Sequence, residues 1–265
     1  MKNLWQNLKP LIVKYKWWII TAPFALPVAL QLYYFVQIAW WVNFNPSSTS
    51  FMRQQLSELR EKDPNAEIKH KWIPYNRISP HLKRAIIAAE DARFASHEGV
   101  EWKGLWLAYK TNQRKGKIVA GGSTITQQLA KNLFLSGSRS YFRKMQELAI
   151  TGMLEFWMEK ERIYELYINL VEYGVGVFGC EAAAQHYYGI SCANLSAPQA
   201  AKLASLLTKP RYFDTHRNSA YLARKSSLVL QRMGVAQTPE AVRRANAKKQ
   251  SSFKMPQAIK KLLKR

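Results

Sequence analysis

From Trp17 to Val42 the chain runs for 26 residues without a charged side chain, as WWIITAPFALPVALQLYYFVQIAWWV. An α-helix rises about 1.5 Å per residue and crosses the hydrocarbon core of a bilayer in about 20 residues. The run is therefore long enough for one membrane-spanning helix. Pro23 and Pro27 would break a soluble helix, but near the start of a membrane helix they are accommodated as a kink or an entry turn. Trp17 and Trp18 at one end and Trp40 and Trp41 at the other match the aromatic belts of the two interfaces. Lys2, Lys9, Lys14 and Lys16 precede the run and no acid does, so residues 1–16 are expected in the cytoplasm and everything after Val42 on the outer face. A cleaved signal peptide fits poorly, because the run is too long and ends in WWVNFNP rather than small residues. An uncleaved transmembrane helix over residues 17–42 is the expectation.

The full length of 265 residues leaves room for one sizeable catalytic domain beside this anchor. A net charge of +23, from 40 Lys and Arg against 17 Asp and Glu, calls for anionic partners. Nucleic acid, lipid headgroups and pyrophosphate all qualify on charge. External placement and the lack of any zinc-finger, RRM or basic-zipper pattern argue against nucleic acid. Cys180 and Cys192 make neither a disulfide framework nor a four-ligand zinc site; two unpaired thiols are expected, with a single bridge left open.

Residues 43–74 read as a linker and membrane-proximal segment, polar at NFNPSSTS and without clear periodicity from residue 51 to 78. A mainly α-helical domain follows, over residues 75–235. Ser79-Pro80 gives an N-cap and a first-turn proline, and Leu82, Ala85, Ile86 and Ala89 recur at helical spacing towards Glu90. Thr124 with Gln127 predicts a capping box just after Gly121-Gly122. Further helices are expected over 140–170, 196–209 and 220–233. Residues 236–265 form a basic C-terminal tail, read as a surface extension near anionic headgroups.

Two stretches hold more polar residues than packing requires: Glu90-Asp91-Ala92-Arg93-Phe94-Ala95-Ser96-His97-Glu98-Gly99, and Gly122 through Gln127, Gln128, Lys131 and Asn132. On a helix Gln128, Lys131 and Asn132 face one region, and a helix N-terminus favours a phosphate. Lys131 would add a point charge and Arg139 a planar fork, which together suit a pyrophosphate. Arg143 and Glu147, four apart, taken alone read as a surface salt bridge.

In combination, Glu-Asp-x-Arg-Phe-x-x-His-x-Gly, Gly-Gly-Ser-Thr-Ile-Thr-Gln-Gln-Leu-x-Lys-Asn, Arg-Lys-x-x-Glu and the Ile163–Asn169 segment IYELYIN resemble the lysozyme-like peptidoglycan glycosyltransferase family, in its monofunctional branch. The fifth family motif is approximate here, around Arg224, Lys225, Val229 and Leu230. The resemblance implies polymerisation of lipid II into β-1,4-linked glycan, with inversion and release of polyprenyl pyrophosphate. Carried onto this chain, it makes Glu90 the general base and places Glu147 on the leaving-group side with Lys131 and Arg139. It gives Ser123, Thr124, Gln127, Gln128 and Asn132 to the donor and Lys144 to the acceptor side.

Arg93, beside Glu90, would favour the charged base; Asp91 and His97 would orient the loop, and Phe94 would pack. Glu165, Tyr167 and Asn169 are read as bracing the cleft, and Trp102, Leu105 and Trp106 as core residues or as a surface dipping into the outer leaflet. No cofactor or metal ligand set is required, although a divalent cation such as Mg could bridge the pyrophosphate. The implied partners are lipid II, the growing glycan chain, membrane lipid and separate cell-wall transpeptidases. Ser251-Ser252-Phe253-Lys254 matches a bare Ser-x-x-Lys, but no Ser-Asp-Asn or Lys-Thr-Gly accompanies it. A lytic enzyme of similar fold would also use two carboxylates. It would not need the Ser-Thr, Gln-Gln and Lys-Asn cluster.

Overall fold

The computed structural model describes residues 25–117, 121–135 and 140–252. It divides into two compact units, Met1–Asn45 and Pro46–Arg265. In the first, residues 25–41 form helix α1. No helix among the described residues is long and apolar enough to cross a membrane. Residues 1–24, which include the predicted cytoplasmic segment and the first part of the expected anchor, lie outside the described residues.

The second unit begins with α2 (Ser50–Arg60), capped by Thr49, whose Oγ1 accepts from the Met52 N–H at 3.0 Å. Within residues 43–74, read as a linker and membrane-proximal segment, the structure thus places a helix whose Met52, Leu56 and Leu59 recur at helical spacing. Helix α3 (Pro80–Glu90) buries Leu82, Ala85 and Ile86 completely. It packs on α9 (Ala197–Leu206) and α11 (Ala220–Arg232). Ala200, Ala201 and Ala204 on α9 are small enough to let the two helix backbones approach closely. Ser79 gives α3 no side-chain cap; its hydroxyl donates instead to the Leu195 carbonyl at 3.0 Å.

Helix α4 (Trp102–Lys115) precedes α5 (Ile125–Phe134), and α5 is packed by α2, α6 (Tyr141–Trp157) and α7 (Lys160–Leu170). A small sheet braces the end of α7: β1 (Lys69–His70), β2 (Glu172–Gly174) and β3 (Val177–Phe178), in the order β1-β3-β2. The first pair is parallel and the second antiparallel. Asn169 ties this region together, donating to the Ile73 carbonyl at 3.0 Å and accepting from the Ile73 N–H at 2.9 Å.

Cys180, at the start of α8 (Cys180–Tyr188), is disulfide-bonded to Cys192, with Cα atoms 5.7 Å apart. The expectation of two unpaired thiols is thereby corrected. After α10 (Pro210–Thr215) and α11, helix α12 (Pro239–Ser252) occupies the part of the tail that is described. Glu240 fixes it, pairing with the buried Lys83 at 3.1 Å and accepting from the Tyr75 hydroxyl. Residues 253–265 lie outside the described residues.

Candidate active site

The end of α3 delivers Glu90 to a cleft of about 210 Å³, lined also by Asp91, Arg93, Leu105, Gly122 and Ser123. The glycine at 122 is needed for this wall, since a Cβ there would meet Leu105 Cδ1 at 2.8 Å and the Leu105 backbone at 3.2 Å. Gln128 and Lys131, on α5, contribute with Asn132 to a second cavity of about 390 Å³ bounded by Glu172, Thr208, Lys209 and Arg211.

Glu90 Oε2 accepts from Gln128 Nε2 at 2.9 Å, and Lys225 Nζ on α11 lies 3.9 Å from Oε1. Burial raises the Glu90 pKa above its ordinary value; the Gln128 hydrogen bond and the charges of Lys225 and Lys131 oppose that rise, and the Asp91 charge adds to it. The carboxylate is thus displaced towards neutrality while retaining a donor and two cations that favour its ionised form, as a general base requires. The cation expected to stabilise it from the sequence was Arg93. In the structure Arg93 is ion-paired with Glu101 instead, because Glu101 at the start of α4 lies within its reach. Lys225, in the approximate fifth motif, takes that place.

Asp91 serves the scaffold. Its Oδ2 accepts from the Ile125 N–H at 3.1 Å, capping the positive end of α5, and both its oxygens lie 3.0 Å from His97 Nε2. Phe94 is fully buried beside Tyr164, with Lys160 over its ring. Thr124 and Gln127 form the expected capping box: the Thr124 hydroxyl accepts from the Gln127 N–H at 3.2 Å and Gln127 Oε1 accepts from the Thr124 N–H at 3.0 Å. The Thr124 hydroxyl also donates to the Gly99 carbonyl at 2.5 Å. Both side chains are buried, and these bonds engage the Thr124 hydroxyl and Gln127 Oε1. Ser123 remains exposed on the cleft.

Glu147 is buried on α6 and accepts from Arg143 Nη1 at 2.9 Å and from Lys144 Nζ. Lys144 is therefore a partner of Glu147. Lys131 makes no salt bridge among the described residues. Its pKa is lowered by burial first, against the Glu147 charge, with Arg143 and Lys144 adding to the depression. A lysine so placed, within reach of both the Glu90 and the Glu147 charge and lining the larger cavity, is prepared to receive an anion. Arg139 lies outside the described residues. Among the described residues no group of three His, Cys, Asp or Glu side chains could hold a metal ion.

Sequence reasoning gave no site role to Glu172, Thr208, Lys209 and Arg211, which line the larger cavity. Arg211 donates to Glu172 at 3.1 Å and also pairs with Glu58 at 3.1 Å. Burial pushes Glu172 up to about 7 despite this guanidinium, which is shared and partly exposed, while the Glu58 charge adds to the rise.

A helical domain that sets one carboxylate on a cleft and a second among cations carries the side chains that glycosyl transfer uses. The family model described as Transglycosylase matches residues 54–234. A biosynthetic peptidoglycan transglycosylase of Herminiimonas arsenicoxydans is 66% identical over 226 residues, covering 85% of this chain and 98% of that protein. Proteins of the same description from Methylobacillus flagellatus and Bordetella pertussis are 54% and 52% identical, over 81% and 83% of this chain and 93% of each relative. The chain belongs to the transglycosylase family.

Proposed function

We propose that the chain is a peptidoglycan glycosyltransferase of cell-wall synthesis. It polymerises lipid II into β-1,4-linked strands at the outer face of the bacterial cytoplasmic membrane. The observation that carries this reading is Glu90 itself, a largely enclosed carboxylate on a cleft, held by Gln128 and Lys225, with Lys131 within reach of its charge and that of the cation-bound Glu147.

In the reaction the acceptor sugar's 4-hydroxyl attacks C1 of the donor chain. Its proton passes to Glu90, the new C–O bond forms on the face opposite the leaving group, and the bond from C1 to pyrophosphate breaks with inversion. Lys131 stabilises the negative charge that grows on the departing pyrophosphate. Asn132 lines the same cavity, and Ser123 faces the cleft at Glu90. Glu147, with its oxygens engaged by Arg143 and Lys144, positions these cations near the leaving group. Arg139 adds a further cation in this scheme, and a divalent ion such as Mg, if carried in with the pyrophosphate, would supplement the charge of these side chains.

A substrate with a polyprenyl tail stays in the bilayer, so its enzyme has to work at the membrane surface. The uncharged run 17–42 serves as anchor in this reading, with residues 1–16 inside. Trp102, Leu105, Trp106 and Leu107 on α4 are exposed, between 42% and 68%, and suit contact with the outer leaflet. Cross-links between strands would come from separate transpeptidases. The test is incubation of the full chain in detergent with labelled lipid II and, separately, with finished glycan. Long glycan from the first and no cleavage in the second is expected. Intact lipid II, or cut glycan, would overturn the proposal in favour of a binding or lytic protein.

A further inference from the structure

We propose that Tyr167 is a positioning residue for the base, acting through Gln128 to hold Glu90 in its proton-accepting form; this deepens the function proposed above and rests on it. Tyr167, on α7, is completely buried, and its hydroxyl donates to Gln128 Oε1 at 3.0 Å. Gln128 Nε2 in turn donates to Glu90 Oε2 at 2.9 Å.

The primary amide of Gln128 has one accepting end and one donating end. With its oxygen engaged by a phenol that cannot leave the core, its nitrogen is turned to the carboxylate. A flipped amide would set oxygen against a carboxylate oxygen, which is repulsive whenever Glu90 is ionised. Tyr167 thus fixes which end of Gln128 the base meets, without touching the substrate.

The groups facing Glu90 come from every neighbouring element. Lys131 and Gln128 lie on α5, Lys225 on α11 and Asp91 next in the chain, with the Tyr167 and Tyr173 rings on α7 and β2. Lys225 and Lys131 act on Glu90 by charge alone, whereas Gln128 is its recorded hydrogen-bond donor. Tyr173 supplies an internal comparison. It is fully buried close enough for the Glu90 charge to act on it, but its hydroxyl has no hydrogen-bond partner among the described residues.

The experiment compares Tyr167→Phe, Gln128→Leu, their combination and Tyr173→Phe in the full chain. It reads the pH profile of kcat/KM on lipid II and a carboxyl-carbon NMR titration of Glu90. Losing the amide donor removes an interaction that favours the ionised base, so the acid limb moves to higher pH. For Tyr167→Phe, activity on the acid side falls roughly tenfold and the alkaline plateau stays within about twofold. Gln128→Leu moves the limb the same way, and adding Tyr167→Phe to it moves the limb no further. Tyr173→Phe leaves the limb in place.

A uniform loss at every pH with an unmoved limb would overturn the relay, as would fully additive shifts or an equal shift from Tyr173→Phe. The NMR titration separates this from the parent reading. If Glu90 titrates higher in Tyr167→Phe but the wild type makes no glycan, the relay stands and the proposed reaction falls. If the wild type makes glycan and Glu90 titrates unchanged, the reverse holds.

Discussion

Replacing Asp91 with asparagine is expected to loosen α5, although Asp91 itself carries out no chemistry in this account. One carboxylate meets two needs: Oδ2 accepts from the Ile125 N–H at 3.1 Å, at the first residue of α5, and the pair of oxygens receives His97 Nε2 at 3.0 Å. Both side chains are nearly fully buried. Asparagine can still cap through its remaining oxygen, but removing a negative charge from a helix N-terminus costs about 0.3–2 kcal/mol. Hydrogen bonds to charged groups contribute about 1.5–3 kcal/mol, but asparagine keeps one acceptor, so only part of this is lost.

These effects share one residue and do not add, which leaves a loss of about 1–2 kcal/mol. For a domain of this size that lowers the melting temperature by roughly 2–8 °C. The His97 Nδ1 atom is already buried without a partner among the described residues, so the imidazole cannot recover the bond from its other side. Thermal unfolding of the full chain in detergent, followed by far-UV circular dichroism, measures the loss. A change below about 1 °C would show that the Asp91 contacts do not support α5, and the reasoning from burial and capping would be refuted.

Glu172 gives a pH prediction. Its pKa is about 7 in the folded chain against an ordinary 4.5, so the folded state binds the extra proton between these values. Its contribution is complete below about pH 4.5 and is lost as pH rises through 7. Glu172→Gln should therefore flatten the fall in stability over that window, and an unchanged slope in urea unfolding at several pH values would count against it. Cys180→Ala removes a bridge between residues 12 apart in sequence. Loss of about 3 kcal/mol is expected, with the wild type losing the same amount on reduction; insensitivity of the melting temperature to reductant would refute this. Gly99→Ala places a Cβ 2.6 Å from Thr151 Cγ2 at a φ of +79°. It should lower both stability and activity, since Gly99 also accepts from Thr124, and an unaltered melting curve would show that the loop yields freely.

The sequence made some parts of the site legible because their signals are local. Pro80 at a first turn and the Thr124–Gln127 capping box each act within a few residues. Long-range partners were not readable in that way. Arg93 lies three residues after Glu90 in the chain but finds Glu101, whereas Lys225 reaches Glu90 from more than a hundred residues away. Tyr167 read as a brace because its register on α7 is that of a core residue; only the fold shows its hydroxyl meeting Gln128. Thr124 and Gln127 were legible as a cap, and the cap engages the Thr124 hydroxyl and Gln127 Oε1. Helix α2 also carries a local signal, Met52, Leu56 and Leu59 at helical spacing, which the reading of residues 43–74 as a linker passed over. The Cys180–Cys192 pairing depended on α8 and the following turn bringing the two thiols together, which spacing alone does not reveal.

The central claim is that Glu90 is the base of a glycan-polymerising centre, and the most direct test is polymerisation of labelled lipid II by the wild type and by Glu90→Gln at the same protein concentration. Glutamine preserves size and hydrogen bonding but cannot take the acceptor's proton. Long glycan from the wild type with a loss of at least about a hundredfold in Glu90→Gln, at an unchanged melting temperature, is the predicted result. Near-wild-type polymerisation by Glu90→Gln would contradict the account.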